Sequence, residues 1–140
     1  MDPPLSEPLV VDTNVVSFFL NRDPIRGPRY QAHTTGRTLY LPFVVVGELW
    51  FGAELRRWGP TRRERLERLL RDYVVIDSAP DIVRAWAALR VDAQRHGTPI
   101  ERQDAWVAAV ALALDLPLLT HNPAHFRTVP LLRLITEPDQ

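Results

Sequence analysis

The chain has 140 residues, 46% of them hydrophobic, with 17 acidic and 17 basic residues and no cysteine. Those numbers suit one globular domain over 1–140 with a real core, and they exclude a disulfide framework or a thiolate metal site. No run approaches the ~18 apolar residues of a membrane helix and no basic-then-apolar leader opens the chain, so a soluble, cytoplasmic protein without a membrane partner is expected.

After a proline-containing start, the apolar run ending at Val11 predicts a first strand over Pro8–Asp12. A helical pattern, Asn14–Leu20, follows at once. A buried strand that stops at an Asp puts that Asp at the carboxyl edge of a sheet, where open α/β sheets bind ligands. Asp12 or Asn14 could equally cap the helix that follows. Residues 22–36 are polar, Arg-bearing and helical in part. Thr38–Leu41 reads as a second strand stopped by Pro42, which suits a first helical turn.

Phe43–Trp58 predicts a long helix ending at the stop signal Gly59-Pro60. Glu48 lies on its apolar face, with Val44, Val45, Phe51 and Gly52 three and four residues away. An ionised carboxylate there is expensive without a partner, and either an Arg or a metal ion satisfies it. Thr61-Arg62-Arg63-Glu64 has capping-box spacing, and Leu66, Leu69 and Leu70 give the next helix an apolar stripe. All 17 basic residues are Arg, and seven of them fall within 56–72 against three acids, a local net charge of +4. Such a stripe is either the footprint of nucleic-acid binding or a solvated face with internal ion pairs.

Tyr73–Ile76 is the third strand. Ser78-Ala79-Pro80-Asp81 opens a helix with Ile82, Trp86, Leu89 and Ala93 facing the core and Gly97 closing it. Ala105–Leu114 is apolar on every side and therefore buried. Asp104 opens that helix, where an acid complements the helix dipole by ~0.3–1 kcal/mol. The same position lies beside the sheet edge where Asp12 emerges. Leu118–Thr120 and Leu132–Ile135 complete the strands. Strands separated by helices imply a three-layer α/β/α sandwich with a mostly parallel central sheet.

Three carboxylates gathered at one edge raise each other's pKa unless a cation sits between them. All-oxygen ligation selects Mg²⁺ or Mn²⁺. A carboxylate-held Mg²⁺ with open positions suits phosphodiester hydrolysis.

Four motifs stand in order: Asp12-Thr13-Asn14, Gly47-Glu48-Leu49, Asp104-Ala105-Trp106-Val107-Ala108-Ala109 and Leu119-Thr120-His121-Asn122. Together, over Leu9–Ile135, they resemble the PIN-domain family, and in particular the VapC-like ribonuclease toxins of toxin–antitoxin pairs. The resemblance implies a Mg²⁺-dependent endoribonuclease (Mn²⁺ substituting) that leaves 5′-phosphate and 3′-hydroxyl ends. It also implies a homodimer and neutralisation by a small, DNA-binding antitoxin. Asp12, Glu48 and Asp104 match the catalytic metal-site positions. Thr13, Asn14, Thr120 and Asn122 match orienting positions around them.

Many members carry an acid after the late Thr, whereas this chain has Asn122, so one well-held metal is expected, with a second recruited only with RNA. A His near a metal site can contact phosphate or shuttle a proton, but His125 beside Phe126 is read as fixing a loop, and both His121 and His125 stay outside the catalytic set. Arg62 and Arg63 are candidates for the RNA backbone. The stripes Trp50/Phe51 and Leu66/Leu69/Leu70 are read as core in preference to dimer interface. A housekeeping PIN nuclease of RNA maturation and a non-catalytic PIN-like binding protein are the other readings. Single-domain length leans against the first, and the intact acids lean against the second.

Overall fold

A computed structural model describes residues 7–139. The proline-containing start and the last residue of the expected 1–140 domain lie outside the described residues. Five strands form one sheet in the order β3-β2-β1-β4-β5: β1 Leu9–Val11, β2 Leu39–Pro42, β3 Val74–Ile76, β4 Leu118–Leu119 and β5 Leu134–Ile135. Six helices complete the described fold: α1 Thr13–Leu20, α2 Arg26–Thr34, α3 Phe43–Leu55, α4 Pro60–Leu70, α5 Pro80–Arg95 and α6 Arg102–Leu114. The result is the expected α/β/α sandwich, and every strand pair within it is parallel.

Sheets of this kind are covered on both faces, which is why β1 reads as an unbroken apolar run and all three of its residues are buried. Parallel pairing also brings every carboxyl end to one edge. Val11 pairs with Leu119, so Asp12 and Thr120 leave their strands side by side. β2 runs straight into α3 through Pro42, placing Glu48 near the same edge. Ala105 and Val107–Ala111 of α6 are buried, as expected for a helix apolar all round, and they carry Asp104 in on its first turn.

Three sequence expectations are corrected. The capping box over 61–64 does not form: α4 begins two residues earlier, with Pro60 in its first turn and Gly59 as N-cap without a side-chain bond. Proline, with no N–H to satisfy and its φ already helical, prevails over the Thr signal. The third helix ends at Leu55, three residues before Trp58, because Arg57 turns left-handed at φ 53° and Trp58 N–H returns to the Ala53 carbonyl. Phe51 is not core. It is 66% exposed, whereas Leu66 is fully buried and Trp50, Leu69 and Leu70 are partly buried against the core.

Candidate functional site

Asp12 is buried, with both carboxylate oxygens engaged. Oδ1 accepts from the Thr13 N–H at 2.8 Å, capping α1, and Oδ2 accepts from the Thr120 hydroxyl at 2.7 Å. The capping and site readings of Asp12 are therefore compatible, since each oxygen keeps a lone pair. Thr120 Oγ1 in turn accepts from the Asn122 N–H at 3.1 Å, and Asn14 Oδ1 accepts from the His121 N–H at 3.2 Å. Thr120 and Asn14 thus tie the segment 120–122 to the carboxyl end of β1.

A cavity of about 270 Å³ opens at this edge. It is lined by Asp12, Glu48, Glu101, Asp104, Asn122 and His125, with Thr13 and Asn14 at its wall. The topology therefore gathers all three sequence-nominated carboxylates and their neighbours in one place. Burial pushes the Asp12 carboxyl above its ordinary range, against the lowering effect of its Thr120 and Thr13 hydrogen bonds. Glu48 is raised by burial first and by the Asp12 charge second. Asp104 is raised by the same two causes in the same order, while His125 acts against them. Of the two alternatives for Glu48, no Arg partner is found among the described residues, and the charges acting on it are those of Asp12, Asp104 and Glu101.

The donor set fits a hard divalent cation. It is all oxygen, it carries excess negative charge, and the buried Thr13 Oγ1 beside Glu48 has no hydrogen-bond partner of good geometry. Among the described residues no three acidic or histidine side chains close around one point, so the cavity is not a finished cage. Mg²⁺ keeps several waters and is held by one or two carboxylates. Asp12, Glu48 and Asp104 are the residues that would hold it.

His125 stands where the sequence reading did not put it. It follows Asn122 on a 3₁₀ turn, Pro123–His125, and its Nδ1 lies 3.1 Å from Asp104 Oδ2. No spacing signal relates residues 104 and 125, and only the placement of α6 beside the end of β4 brings them together. Glu101 and Gln103 also reach this cavity, one turn or less from Asp104.

The Arg-rich segment divides in two. Arg63 is committed: its guanidinium binds Glu54 at 2.6 Å and the Trp58 carbonyl at 2.7 Å. Arg62 is exposed and lies over the Trp58 ring, 4.4 Å from its centroid. Together with Arg56 it borders a larger groove of about 950 Å³ walled by Phe43, Phe51, Leu55 and Trp58. The groove shares Thr13, Glu48 and Gln103 with the acidic cavity, so the two adjoin. Phe51 and Leu55, both 66% exposed, give this groove its apolar floor.

Comparison with known proteins places this geometry. The chain is 23% identical over 122 residues to ribonuclease VapC2 of Rickettsia felis, an alignment covering 86% of this chain and 91% of that one. It is 29% identical over 136 residues to the plasmid stability protein StbB of Pseudomonas syringae pv. tomato, covering 88% and 94%. In fold it is similar to the crystal structure of VapBC2 from Rickettsia felis bound to a promoter DNA fragment. There the TM-score is 0.84 at 21% identity, over 94% of this chain and 99% of that one. The PIN domain model matches residues 9–131, from the first strand through the turn that carries His125, and the chain belongs to the PIN domain family.

Proposed function

We propose that the chain is a Mg²⁺-dependent endoribonuclease acting as the toxin of a toxin–antitoxin pair. The observation that carries this reading is the convergence of Asp12, Glu48 and Asp104 in one cavity, all with raised pKa and without a neutralising Arg or Lys, in a PIN-domain chain. The bound ion supplies an acidified water and neutralises charge on the scissile phosphate.

The chain's own residues do the positioning. Asp12 is fixed by Thr13 and Thr120, so its free lone pairs point from a rigid mount. Asn14 holds the 120–122 segment in place by accepting the His121 N–H. Asn122 lines the cavity and offers a neutral oxygen, which favours one firmly held ion. Asp104 and His125 form a pair at the far wall, where the imidazole can meet a phosphate oxygen. The products expected are 5′-phosphate and 3′-hydroxyl ends.

The adjoining groove supports a partner that covers the site. Its apolar wall of Phe51 and Leu55 suits an apolar segment of the antitoxin, and it shares Glu48 with the carboxylate cavity. Similar folds solved as a toxin–antitoxin complex from Klebsiella pneumoniae and as a member of the VapBC family of toxin–antitoxin systems favour the same assignment. Arg62, exposed at the groove edge, is the better candidate for an RNA phosphate. Arg63, already bonded, is the poorer one. A homodimer is part of the proposal, and sedimentation showing only monomer at low micromolar concentration would count against it. Among the described residues no helix is long and apolar enough to cross a membrane.

The deciding experiment is sequencing of RNA 5′ ends after brief induction of this chain, beside an Asp12→Asn control. Discrete new 5′-phosphate ends confined to the native protein are expected. Their absence despite soluble protein would leave a non-catalytic binder as the better reading.

A further inference from the structure

The C-terminal segment makes a set of contacts that the nuclease reading does not use. Tyr30 of α2 is fully buried, yet its hydroxyl sits among polar groups from three parts of the chain. It receives the Glu137 N–H at 3.1 Å and lies 2.5 Å from His121 Nδ1. The Thr136 hydroxyl and the Glu137 and Thr120 carbonyls are farther off, at 3.4, 3.4 and 3.5 Å. A phenol has one proton to give, and the shortest contact takes it. His121 Nδ1 is then an acceptor, which leaves the ring hydrogen on Nε2. Nε2 lies 2.8 Å from Asp139 Oδ1 and so donates to it. Arg26 Nε donates to the same oxygen at 3.0 Å. Arg29 holds the Pro138 carbonyl at 2.8 Å and His33 pairs with Glu137 at 2.7 Å, so each residue from 136 to 139 has a partner. The edge of the Phe18–His121 ring pair, with centroids 5.1 Å apart at 82°, fixes the imidazole plane.

His121 is the point where this network meets the site. Its backbone N–H is bonded to Asn14, and its neighbours Thr120 and Asn122 carry the hydroxyl and amide bonds that lead to Asp12. A path of hydrogen bonds to the His121 ring, the backbone of residues 120–122 and the Thr120 hydroxyl therefore runs from Asp139 to the Asp12 carboxylate. Nothing else among these contacts requires a buried tyrosine hydroxyl at position 30. Phenylalanine would fill the same space.

We infer that residues 136–139 form a brace that positions the 120–122 segment, and through it Asp12, with Tyr30 and His121 as positioning residues. The functional half of this inference rests on the nuclease reading, while the structural half does not. Partners that orient a metal-binding carboxylate are worth roughly 10–100-fold in affinity or activity when removed.

Two variants test it: Tyr30→Phe, which keeps the buried ring, and Asp139→Ala, which alters only an exposed residue. Amide exchange measured by NMR should quicken about tenfold at the His121 and Asn122 N–H groups in both, as expected of locally released segments. The Asp12 N–H, bonded to the Leu119 carbonyl within the sheet, should keep its rate. Mn²⁺-supported RNA cleavage should lose kcat by about tenfold with KM for RNA unchanged. Unchanged exchange at both amides overturns the brace. Quickened exchange with native kcat overturns the positioning role and leaves a merely structural contact. Native protein that cleaves no RNA overturns the nuclease reading instead, and the exchange rates then decide the brace by themselves.

Discussion

The carboxylate cavity and the C-terminal brace meet at the same three residues, 120–122, and they treat charge in opposite ways. In the brace each acid has a hydrogen-bond donor: Asp139 is held below its ordinary pKa by its bonds from His121 and Arg26, and Glu137 lies 2.7 Å from His33 Nε2. In the cavity the charges accumulate. Asp12, Glu48 and Asp104 are each raised, first by burial and then, for Glu48 and Asp104, by the Asp12 charge, against the hydrogen bonds of Thr13 and Thr120 and the His125 imidazole. Folding alone accounts for the first arrangement. The second costs stability, and a cation bound there would return it. A balanced cluster holds a structure together, while an unbalanced one is kept for what binds to it.

That contrast is broken or sharpened by substitution. The largest effect should come from Asp12→Asn or Asp104→Asn, each reducing Mg²⁺-dependent RNA cleavage to background. Cleavage surviving either change would remove those residues from the metal site. Thr120→Val keeps the shape and removes the hydroxyl that holds Asp12 Oδ2, and should cost roughly 10–100-fold in cleavage or metal affinity.

The pH dependence follows from the direction of the three shifts. Each carboxyl has a folded pKa above its unfolded value, so the native state binds the more protons over that interval and stability falls as pH rises through it. Thermal melts of metal-free protein should therefore show a falling Tm as pH rises from about 4 toward neutrality. Mn²⁺ should reverse the trend by favouring the ionised forms. Asp12→Asn should raise the metal-free Tm and abolish the Mn²⁺ effect. A metal-free Tm that rises over the same range would mean that the cavity is balanced after all.

The smallest effects should come from the arginines. Arg62→Gln should weaken RNA binding and lower the salt slope by about 1, the signature of one lost phosphate contact. Arg63→Gln should leave that slope alone and cost under about 1 kcal/mol of stability through its Glu54 pair. Equal slopes for the two variants would send the Arg62 side chain to solvent or to the antitoxin.

Much of the site was legible because β1 is an unbroken apolar run that ends at Asp12, and because Glu48 and Asp104 sit where carboxylates do not belong. Their convergence needed the strand order. Placing β4 beside β1 brings Thr120 to Asp12 and His125 to Asp104, contacts spanning 108 and 21 residues that no local pattern encodes. The brace was illegible for the same reason, since Tyr30 and Glu137 are 107 residues apart and residues 136–139 carry no periodicity. Local rules failed where two signals competed. Pro60 displaced the capping box at Thr61, and Phe51, adjacent to the half-buried Trp50 on one helix, turned to the groove rather than the core.

The most direct measurement is a calorimetric titration of Mn²⁺ into metal-free native protein and into Asp12→Asn. One firmly held ion in the native protein, lost in the variant, is expected of carboxylates left unbalanced for a cation. No binding to the native chain, or equal binding by both proteins, would contradict it, and two equally tight sites would contradict the single-ion arrangement around Asn122.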